Sequence, residues 1–375
     1  MKVYLKLLLT ILFFNQNIFS QEKNEIANDP ISINYDIIKI YDYNKIIWAF
    51  EFIDENTIIF TDKKGKIFIL KNNKIQEISG VPEIYFMGQG GLMDIELHPK
   101  FDQNNKIFLS FAESSNKNDG GNTAIMSAIL DQNKLINKEI LYRGKENSTK
   151  GQHWGSRIQF DKEGFLFFTI GDRGSRNVNP QDLSRDGGKV YRINEDGSIP
   201  QDNPFVDKND IIDAIYSYGH RNPQGIFLHP ETGMIWTNEH GPKGGDEINI
   251  IRKGKNYGWP TITYGKNYNG TIITNLKNLF GMEQPLYYWT PSIAPSSFEY
   301  ITSDKYDNWK GNLLAGSLSF GYLERLVLDD QNKVIFREKI AKDIGRVRDV
   351  VESPDGYIYL SVENKGIFKL IPIEN

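Results

Sequence analysis

One pattern of apolar and polar positions recurs six times along the chain. Each copy has an apolar residue, a short polar turn rich in Asp, Asn, Gly or Pro, and an apolar run that usually ends in Thr or Ser. Two apolar stretches joined by such a turn are typical of a β-hairpin. The copies lie at Phe52–Thr61, Leu97–Ser110, Phe160–Thr169, Leu228–Thr237, Trp309–Ser317 and Glu352–Ser361.

Six such units predict an all-β fold, a six-bladed β-propeller. A β-sandwich or two separate β domains would also contain many hairpins, and these are the alternatives. No Pro/Ser-rich linker separates the copies, so residues 21–375 are expected to form a single domain. The segment Ile33–Ile40 precedes the first copy and is expected to close the ring against the last blade.

Residues 1–20 have a different pattern and are interpreted as a cleaved signal peptide. Lys2 and Lys6 give a positive start, Leu7–Phe14 is a short apolar run, and cleavage is expected near Ser20. The run is too short to span a bilayer, and an uncleaved anchor is the alternative. We therefore expect a periplasmic or secreted protein, with no stable membrane insertion after cleavage.

Composition narrows the chemistry and the class of partner. The chain has no cysteine, which excludes disulfides, thiolate metal sites and a cysteine nucleophile. Its formal net charge of −4 argues against nucleic acid or an anionic membrane surface as the main partner. The aromatic content of 13% and the 33 glycines suit many short strands joined by tight turns.

A propeller gathers loops from every blade at one central mouth, so polar groups that are distant in sequence meet there. The densest polar stretch, Tyr218–Pro260, contributes Arg221 and Asn222, whose guanidinium and amide suit a carboxylate or carbonyl ligand. The segment Gly88–Asp94 contributes Gln89, and its glycines allow close approach of a ligand to the backbone.

The candidate general base is His153. It lies on the loop Gln152–Arg157 before the third copy, where a ligand-facing group is expected, and histidine acts as a base near neutral pH. His98 and His229 occupy the same Leu-His-Pro position within their copies and are interpreted as structural. The nearby Gly171–Gly174 has the pattern of an ordinary exposed loop.

Two arginines, Arg346 and Arg348, alternate on the strand before the last hairpin and therefore share one face. They repel each other unless an anion lies between them. The alternative is a solvated pair balanced by Asp349 and Glu352. With the other candidates, the mouth would hold cations, amides and one base, a set that suits a polyanionic small molecule better than a polymer.

Several short motifs occur in a fixed order between Gln89 and Pro372. They are G-Q-G-G-L-M-D-I-E-L-H-P-K-F, G-H-R-N-P-Q-G, N-E-H-G-P-K-G-G-D-E-I-N with G-K-N-Y-G-W-P, and R-V-R-D-V with S-P-D-G. In these motifs the chain resembles the soluble PQQ-dependent sugar dehydrogenases, which include quinoprotein glucose dehydrogenase and the aldose sugar dehydrogenases. Its compact loops are more similar to the aldose sugar dehydrogenase branch.

This resemblance implies a six-bladed propeller that oxidises an aldose sugar at the anomeric carbon to a lactone. His153 matches the general base that takes the proton of the anomeric hydroxyl, while a hydride passes to the C5 carbonyl of PQQ. Arg221 matches the arginine beside the reacting centre, and Gln89 matches a glutamine near the substrate hydroxyl. The electron acceptor that reoxidises the cofactor stays unidentified.

The resemblance also implies the cofactor contacts. Arg221 and Asn222 match residues beside PQQ, and Arg346 and Arg348 match the pair that binds its carboxylates. PQQ would then supply the anion between these two arginines.

For calcium, the resemblance implies two sites. The carbonyls of Gly241 and Pro242 match ligands of the Ca²⁺ that is bound to PQQ and polarises its carbonyl. Glu247 and the carbonyl of Tyr257 resemble a second, structural Ca²⁺ site. Aromatic residues near Tyr287–Trp289 are similar to those that line the sugar pocket.

The chain departs from the family pattern at two positions. Gln152 stands where the glucose enzyme has an acid before the base, and Ser319 stands where the family has a lysine that contacts PQQ. One cofactor cation is therefore missing, so that either PQQ binds more weakly or Lys243 or Arg325 compensates. The alternative function is a non-redox propeller without PQQ, which would be a carbohydrate- or protein-binding module or a lactonase.

Overall fold

The computed structural model describes residues 33–145 and 147–373. Within these residues, 24 β-strands form six four-stranded antiparallel sheets. The innermost strands of successive sheets contact one another, and the last contacts the first, so the sheets close into a ring. The protein is therefore a six-bladed β-propeller, as predicted, and neither a sandwich nor a pair of β domains. The segment interpreted as a signal peptide lies outside the described residues.

The strands follow the chain blade by blade. The first strand, β1 (Tyr35–Tyr41), belongs to the last blade. Blade 1 contains β2 (Ile47–Asp54), β3 (Thr57–Asp62), β4 (Lys66–Lys71) and β5 (Lys74–Ile78), and blade 2 contains β6 (Leu92–Leu97), β7 (Lys106–Glu113), β8 (Asn122–Asp131) and β9 (Lys134–Arg143). Blade 3 contains β10 (Ile158–Phe160), β11 (Leu166–Ile170), β12 (Lys189–Ile193) and β13 (Ile215–Tyr218), and blade 4 contains β14 (Pro223–Leu228), β15 (Ile235–Glu239), β16 (Asp246–Ile250) and β17 (Tyr287–Trp289). Blade 5 contains β18 (Pro295–Tyr300), β19 (Leu313–Ser317), β20 (Leu323–Leu328) and β21 (Val334–Ile340), and blade 6 contains β22 (Val347–Glu352), β23 (Ile358–Val362), β24 (Gly366–Pro372) and β1.

Helical segments are short. In the part of the chain that the structure describes, they are α1 (Phe101–Asn104) and a 3₁₀ turn at Lys117–Asp119. None of the described helices is long and apolar enough to cross a membrane.

In five blades the repeated sequence pattern corresponds to the hairpin that joins the first and second strands. In blade 5 it covers only β19 and the loop before it. The second strands β3, β11, β15, β19 and β23 are buried along their whole length. Each of these strands has strands on both edges and neighbouring blades on both faces. Because both faces are buried, apolar and polar residues do not alternate, and the sequence is a continuous apolar run.

The ring closes through the N-terminal strand, as the sequence predicted. Strand β1 pairs antiparallel with β24, with Tyr35 opposite Pro372 and Ile38 opposite Lys369. The hydroxyl of Tyr35 also accepts a hydrogen bond of 2.8 Å from the backbone N–H of Ala341 in the neighbouring blade. The first described strand and the last one thus form the outer half of one blade.

An ion-paired arginine fills the middle of the central channel. Arg157 Nη1 lies 2.9 Å from Asp94 Oδ1, and its Nη2 lies 2.9 Å from Asp349 Oδ1. Its guanidinium carbon lies 4.3 Å from the centre of the Trp48 ring. This group separates the mouth, formed by loops before the first strands and after the second strands, from a cavity at the opposite end.

Candidate active site

The loop before β10 carries His153 into the mouth, where Asp172 holds its ring. Nδ1 of His153 lies 2.6 Å from Oδ1 of Asp172. An ionised carboxylate can only accept a hydrogen bond, so Nδ1 carries the proton and Nε2 is left with a lone pair. Burial lowers the pKa of His153, and the hydrogen bond to Asp172 only partly offsets this. The ring is therefore neutral at pH 7, the form that accepts a proton.

Asp172 is a residue that the sequence did not single out, and the expectation of an exposed loop at Gly171–Gly174 is wrong. Its side chain is 1% exposed, and it also accepts hydrogen bonds from Gly174 N (2.7 Å) and Trp259 Nε1 (2.9 Å). Burial raises the pKa of Asp172, but the bond from His153 and the charge of Arg221 outweigh it and lower the pKa overall. Asp172 is thus an ionised partner for the histidine.

Two further side chains fix the loop around His153. Arg173 is fully buried, and its guanidinium stacks 3.4 Å from the centre of the Trp154 ring and donates to the carbonyl of Lys150. From the neighbouring blade, Gln89 Oε1 accepts the backbone N–H of His153 at 2.7 Å. The structure therefore places Gln89 next to His153, and the contact is made with the backbone of His153.

Arg221 and Asn222 form the floor of the mouth beside His153. Glu239 Oε2 accepts the backbone N–H groups of both residues, at 2.5 and 3.3 Å. Arg221 Nη1 donates to the carbonyl of His240 at 2.9 Å, and Asn222 Oδ1 accepts from Gly155 N at 3.1 Å. Among the described residues, Arg221 Nε and Asn222 Nδ2 are buried without a partner. Buried donors are normally paired, so these two point to a ligand.

Arg346 and Arg348 do share an anion, and it is the carboxylate of Glu363, just after β23. Arg346 Nε lies 2.6 Å from Oε2, while Arg348 Nη2 lies 2.5 Å from Oε1. The alternative of balance by Asp349 and Glu352 is wrong, because Asp349 pairs with the channel arginine and Glu352 lines the opposite cavity. One carboxylate between two guanidinium groups leaves a positive charge in the mouth.

The residues expected to bind calcium lie around two cavities. Gly241, Glu247 and Tyr257 line a small cavity of about 10 Å³ together with Glu239, whereas Pro242 lines the large cavity of the mouth. Burial, and next the neighbouring Glu239, raise the pKa of Glu247. Across residues 33–145 and 147–373, no three His, Cys, Asp or Glu side chains form a metal cluster. Any cation here would therefore rely on carboxylates and backbone carbonyls, oxygen donors that suit Ca²⁺.

The large cavity has a volume of about 470 Å³ and opens beside His153. Its wall includes Lys150, Arg176, Arg221, Trp259, Asn267 and Tyr268. The expected aromatics at Tyr287–Trp289 do not line it; Trp289 is fully buried and donates to Glu324 at 2.8 Å. Trp259 and Tyr268 are the aromatic residues that line the cavity instead.

Ser319 is exposed on the turn after β19, next to Leu318, whose carbonyl accepts Arg346 Nη1 at 2.7 Å. A lysine at this position would lie beside the arginine pair. Arg325 does not compensate, because it is buried within blade 5, where its Nη2 lies 2.8 Å from Glu338. Lys243 is exposed on the turn that carries Pro242.

The six-bladed propeller therefore brings a carboxylate-held histidine and several arginines together in one mouth. The chain belongs to the Glucose / Sorbosone dehydrogenase family, whose model matches residues 44–370. It is therefore an oxidoreductase.

The relatives and solved structures to which the chain is similar support the same family. The aldose sugar dehydrogenase YliI of Escherichia coli strain K12 is 37% identical over 352 residues, 92% of this chain and 94% of that protein. Quinoprotein glucose dehydrogenase B of Acinetobacter calcoaceticus is 28% identical over 396 residues, 83% of this chain and 82% of that protein. The apo-form of the soluble aldose sugar dehydrogenase from Escherichia coli matches with a TM-score of 0.85 and 34% identity, over 91% of this chain and 100% of that one. The PQQ-bound aldose sugar dehydrogenase from Streptomyces coelicolor has the same fold, with a TM-score of 0.73 and 22% identity over 91% of this chain and 99% of that one.

Proposed function

We propose that the protein uses PQQ and Ca²⁺ to oxidise aldose sugars at the anomeric carbon to lactones, in the periplasm or outside the cell. The observation that carries this proposal is the neutral His153, held by Asp172, at the wall of a cavity of about 470 Å³. The cavity combines hydrogen-bonding groups with aromatic surface, which suits a sugar ring. A separate electron acceptor is needed to complete the cycle.

The mouth residues fit PQQ, a planar quinone with three carboxylates. Arg346 and Arg348 share only one carboxylate, that of Glu363, so their positive charge is not fully balanced. The unpartnered buried donors of Arg221 and Asn222 offer further hydrogen bonds. The names of two relatives above, a quinoprotein and a PQQ-bound enzyme, support the same cofactor.

The chain's own part in the reaction is proton transfer. Nε2 of His153 accepts the proton of the anomeric hydroxyl, and Asp172 stabilises the imidazolium that results. Arg221 lies beside the same cavity and offers positive charge to the sugar oxygen. When bound, PQQ supplies the hydride acceptor and Ca²⁺ the Lewis acid that polarises its quinone carbonyl.

The residues proposed for calcium also fit a cation. Glu239 and Glu247 are two carboxylates at one small cavity, and burial, and next the charge of Glu239, raise the pKa of Glu247. Asn249 Nδ2 donates to both, at 3.0 and 3.3 Å, and a bound cation would relieve their remaining repulsion. Tyr257 lines the same cavity, and we assign its backbone carbonyl to this ion. Gly241 also lines this cavity, although the resemblance gives its carbonyl to the ion beside PQQ. Pro242 faces the larger cavity and is assigned to the ion beside PQQ.

Reconstitution tests the proposal. Purified protein without cofactor is mixed with PQQ and Ca²⁺, and sugar oxidation is followed with an artificial electron acceptor dye and an assay for the lactone. We expect activity only with both additions, and loss of activity when a chelator removes Ca²⁺ before PQQ is added. A protein that hydrolyses lactones or binds sugar, but oxidises none under these conditions, would instead be the non-redox propeller, which Ser319 favours.

A further inference from the structure

Lys63 is a cation in the mouth that the site described above does not use. It follows β3 in blade 1, and its Nζ donates to the carbonyl of Gly88 at 2.6 Å. An ammonium group has three N–H donors, and this carbonyl is the one protein acceptor found for it in the described part of the chain. No acidic side chain forms an ion pair with Lys63 within residues 33–145 and 147–373. The ammonium also lies 5.4 Å from the centre of the Phe86 ring, and its remaining N–H groups are available to a ligand.

The surroundings of Lys63 are those of an anion site. It is half-buried, and its backbone N–H donates to the carbonyl of Ile46 at 3.0 Å. The carbonyl of the preceding Lys45 accepts the N–H of Asn364, the residue after Glu363, also at 3.0 Å. Lys63 therefore lies in the field of Arg348 and Arg346, with Glu363 as the nearby negative charge. Burial, and next the charge of Arg348, lower the pKa of Lys63 to about 8. Three cations thus converge around one carboxylate, which leaves a surplus of positive charge that an anionic ligand would relieve.

Lys63 and Ser319 flank the arginine pair on opposite sides. Ser319 follows Leu318 of blade 5, whose carbonyl binds Arg346, whereas Lys63 approaches from blade 1. The cation missing at position 319 thus has a counterpart across the pair. Lys63 also touches the glycine-rich loop that presents Gln89, because its acceptor Gly88 immediately precedes that residue.

We propose that Lys63 is a third cation at the cofactor site, beside Arg346 and Arg348. Its remaining N–H groups bind a carboxylate of PQQ and take over the role of the family lysine whose position Ser319 occupies here. This inference rests on the proposed function. The cofactor's carboxylates would then be bound by Arg346 and Arg348 of blade 6 and by Lys63 of blade 1. This arrangement explains how the chain could bind PQQ without a lysine at position 319.

The test is an equilibrium titration of PQQ into the full chain with Ca²⁺ and without sugar, so that the readout is binding and not turnover. We expect Lys63→Met to weaken PQQ binding about tenfold or more, the effect of losing one charge-assisted contact. Lys63→Arg should keep most of the affinity. The matched control is Lys64→Met, an exposed neighbour in the same turn, which should change the affinity by less than about threefold.

A double variant separates a cofactor contact from a merely structural role. If Lys63 acts as the third cation, Ser319→Lys should restore PQQ affinity to Lys63→Met. If Lys63 only holds the Gly88 loop, Ser319→Lys should raise the PQQ affinity of Lys63→Met and of the unmodified protein by the same factor, and that result overturns the inference. The affinity of the unmodified protein should also fall as the pH rises through about 8, where Lys63 loses its proton, and Lys63→Met should lack this step.

The role of Lys63 and the proposed function can be refuted separately. Equal PQQ affinity of Lys63→Met and the unmodified protein would refute the role of Lys63 and leave the proposed function intact. Absence of saturable PQQ binding by the unmodified protein would refute both.

Discussion

The hydrogen bond between Asp172 and His153 decides which ring nitrogen is free to act as a base. Burial lowers the pKa of His153 below the usual 6.5, while Asp172 acts in the opposite direction. A base is active when deprotonated, so the rate should rise with pH through this lowered pKa. It should then stay level at neutral pH.

We expect Asp172→Asn to lower kcat about 100-fold or more, because the amide no longer fixes the Nδ1–H tautomer or stabilises the imidazolium. It also removes a contact that raises the pKa of His153, so the acidic limb of the pH–rate profile should move to lower pH. The measurement is kcat against pH, with PQQ affinity as a check on folding. Asp196→Asn, in an exposed turn, is the control, and an unchanged kcat in Asp172→Asn would contradict this role.

Individual site residues could be predicted from the sequence only where a family motif marks them. The structure brings His153 and Arg221 to the wall of one cavity, with Asn222 buried next to Arg221, and their roles stay predictions. Asp172 was missed because a Gly-Asp turn after an apolar strand looks the same whether exposed or buried. Glu363 was missed because its partners lie across a hairpin from it, and no local pattern marks such a contact.

The hairpins were predictable because burial on both faces forces a continuous apolar run. The first strand of blade 5 was not, since Pro295–Tyr300 reads P-S-S-F-E-Y and has little apolar pattern. The fifth copy of the repeat instead begins at Trp309, in the loop before β19, where the ring is fully buried and stacks 5.0 Å from Tyr306. There the apolar signal comes from loop packing and not from a strand.

Closure of the ring depends on the tight turn at Gly366, between β23 and β24. Its φ is +104°, and a Cβ atom there would lie 1.9 Å from the carbonyl oxygen of Tyr41 at the end of β1. We expect Gly366→Ala to lower the melting temperature strongly, because strain and a backbone clash coincide. Gly164→Ala is the matched control, since φ is +87° there but nothing lies within 4 Å.

Both variants carry the strain of a left-handed backbone, about 1 kcal/mol. The additional loss in Gly366→Ala therefore reports the contact with the backbone of Tyr41, at the end of β1, and of Tyr43 just after it. Thermal unfolding monitored by circular dichroism measures this loss. Equal losses in the two variants would mean that the N-terminal strand does not constrain this turn.

The propeller separates its charges along the channel. The mouth holds Arg221, Arg346 and Arg348, whereas the cavity of about 300 Å³ at the opposite end is lined by several carboxylates. These are Glu51, Asp94, Glu96, Glu299, Asp349 and Glu352, with Arg157 as the neighbouring cation. An anionic ligand would therefore be attracted to one end of a chain whose net charge is −4.

The carboxylates at the far end should make stability depend on pH. Burial, and next the charge of Glu352, raise the pKa of Glu299 to about 8, from the usual 4.5. A raised carboxyl pKa means that the folded state holds its proton more tightly. Its contribution is therefore complete below pH 4.5 and is lost as the pH rises through about 8.

We expect Glu299→Gln to raise the melting temperature by about 2 °C or more at pH 8.5, and to change it little near pH 5. The amide keeps the shape but carries no charge to desolvate. Thermal unfolding at both pH values, with a chelator to remove cations, measures this, and Glu55→Gln in an exposed turn is the control. A lower melting temperature of Glu299→Gln at pH 8.5 would contradict the assignment.

Anaerobic titration tests most directly whether this propeller is a quinoprotein sugar dehydrogenase. PQQ is added to purified protein with Ca²⁺ and no other electron acceptor, and the absorbance is recorded before and after an aldose is added. We predict saturation at one PQQ per chain, followed by bleaching of the quinone and one lactone formed per PQQ. No saturable binding, or an absorbance spectrum that sugar leaves unchanged, would contradict the proposed function.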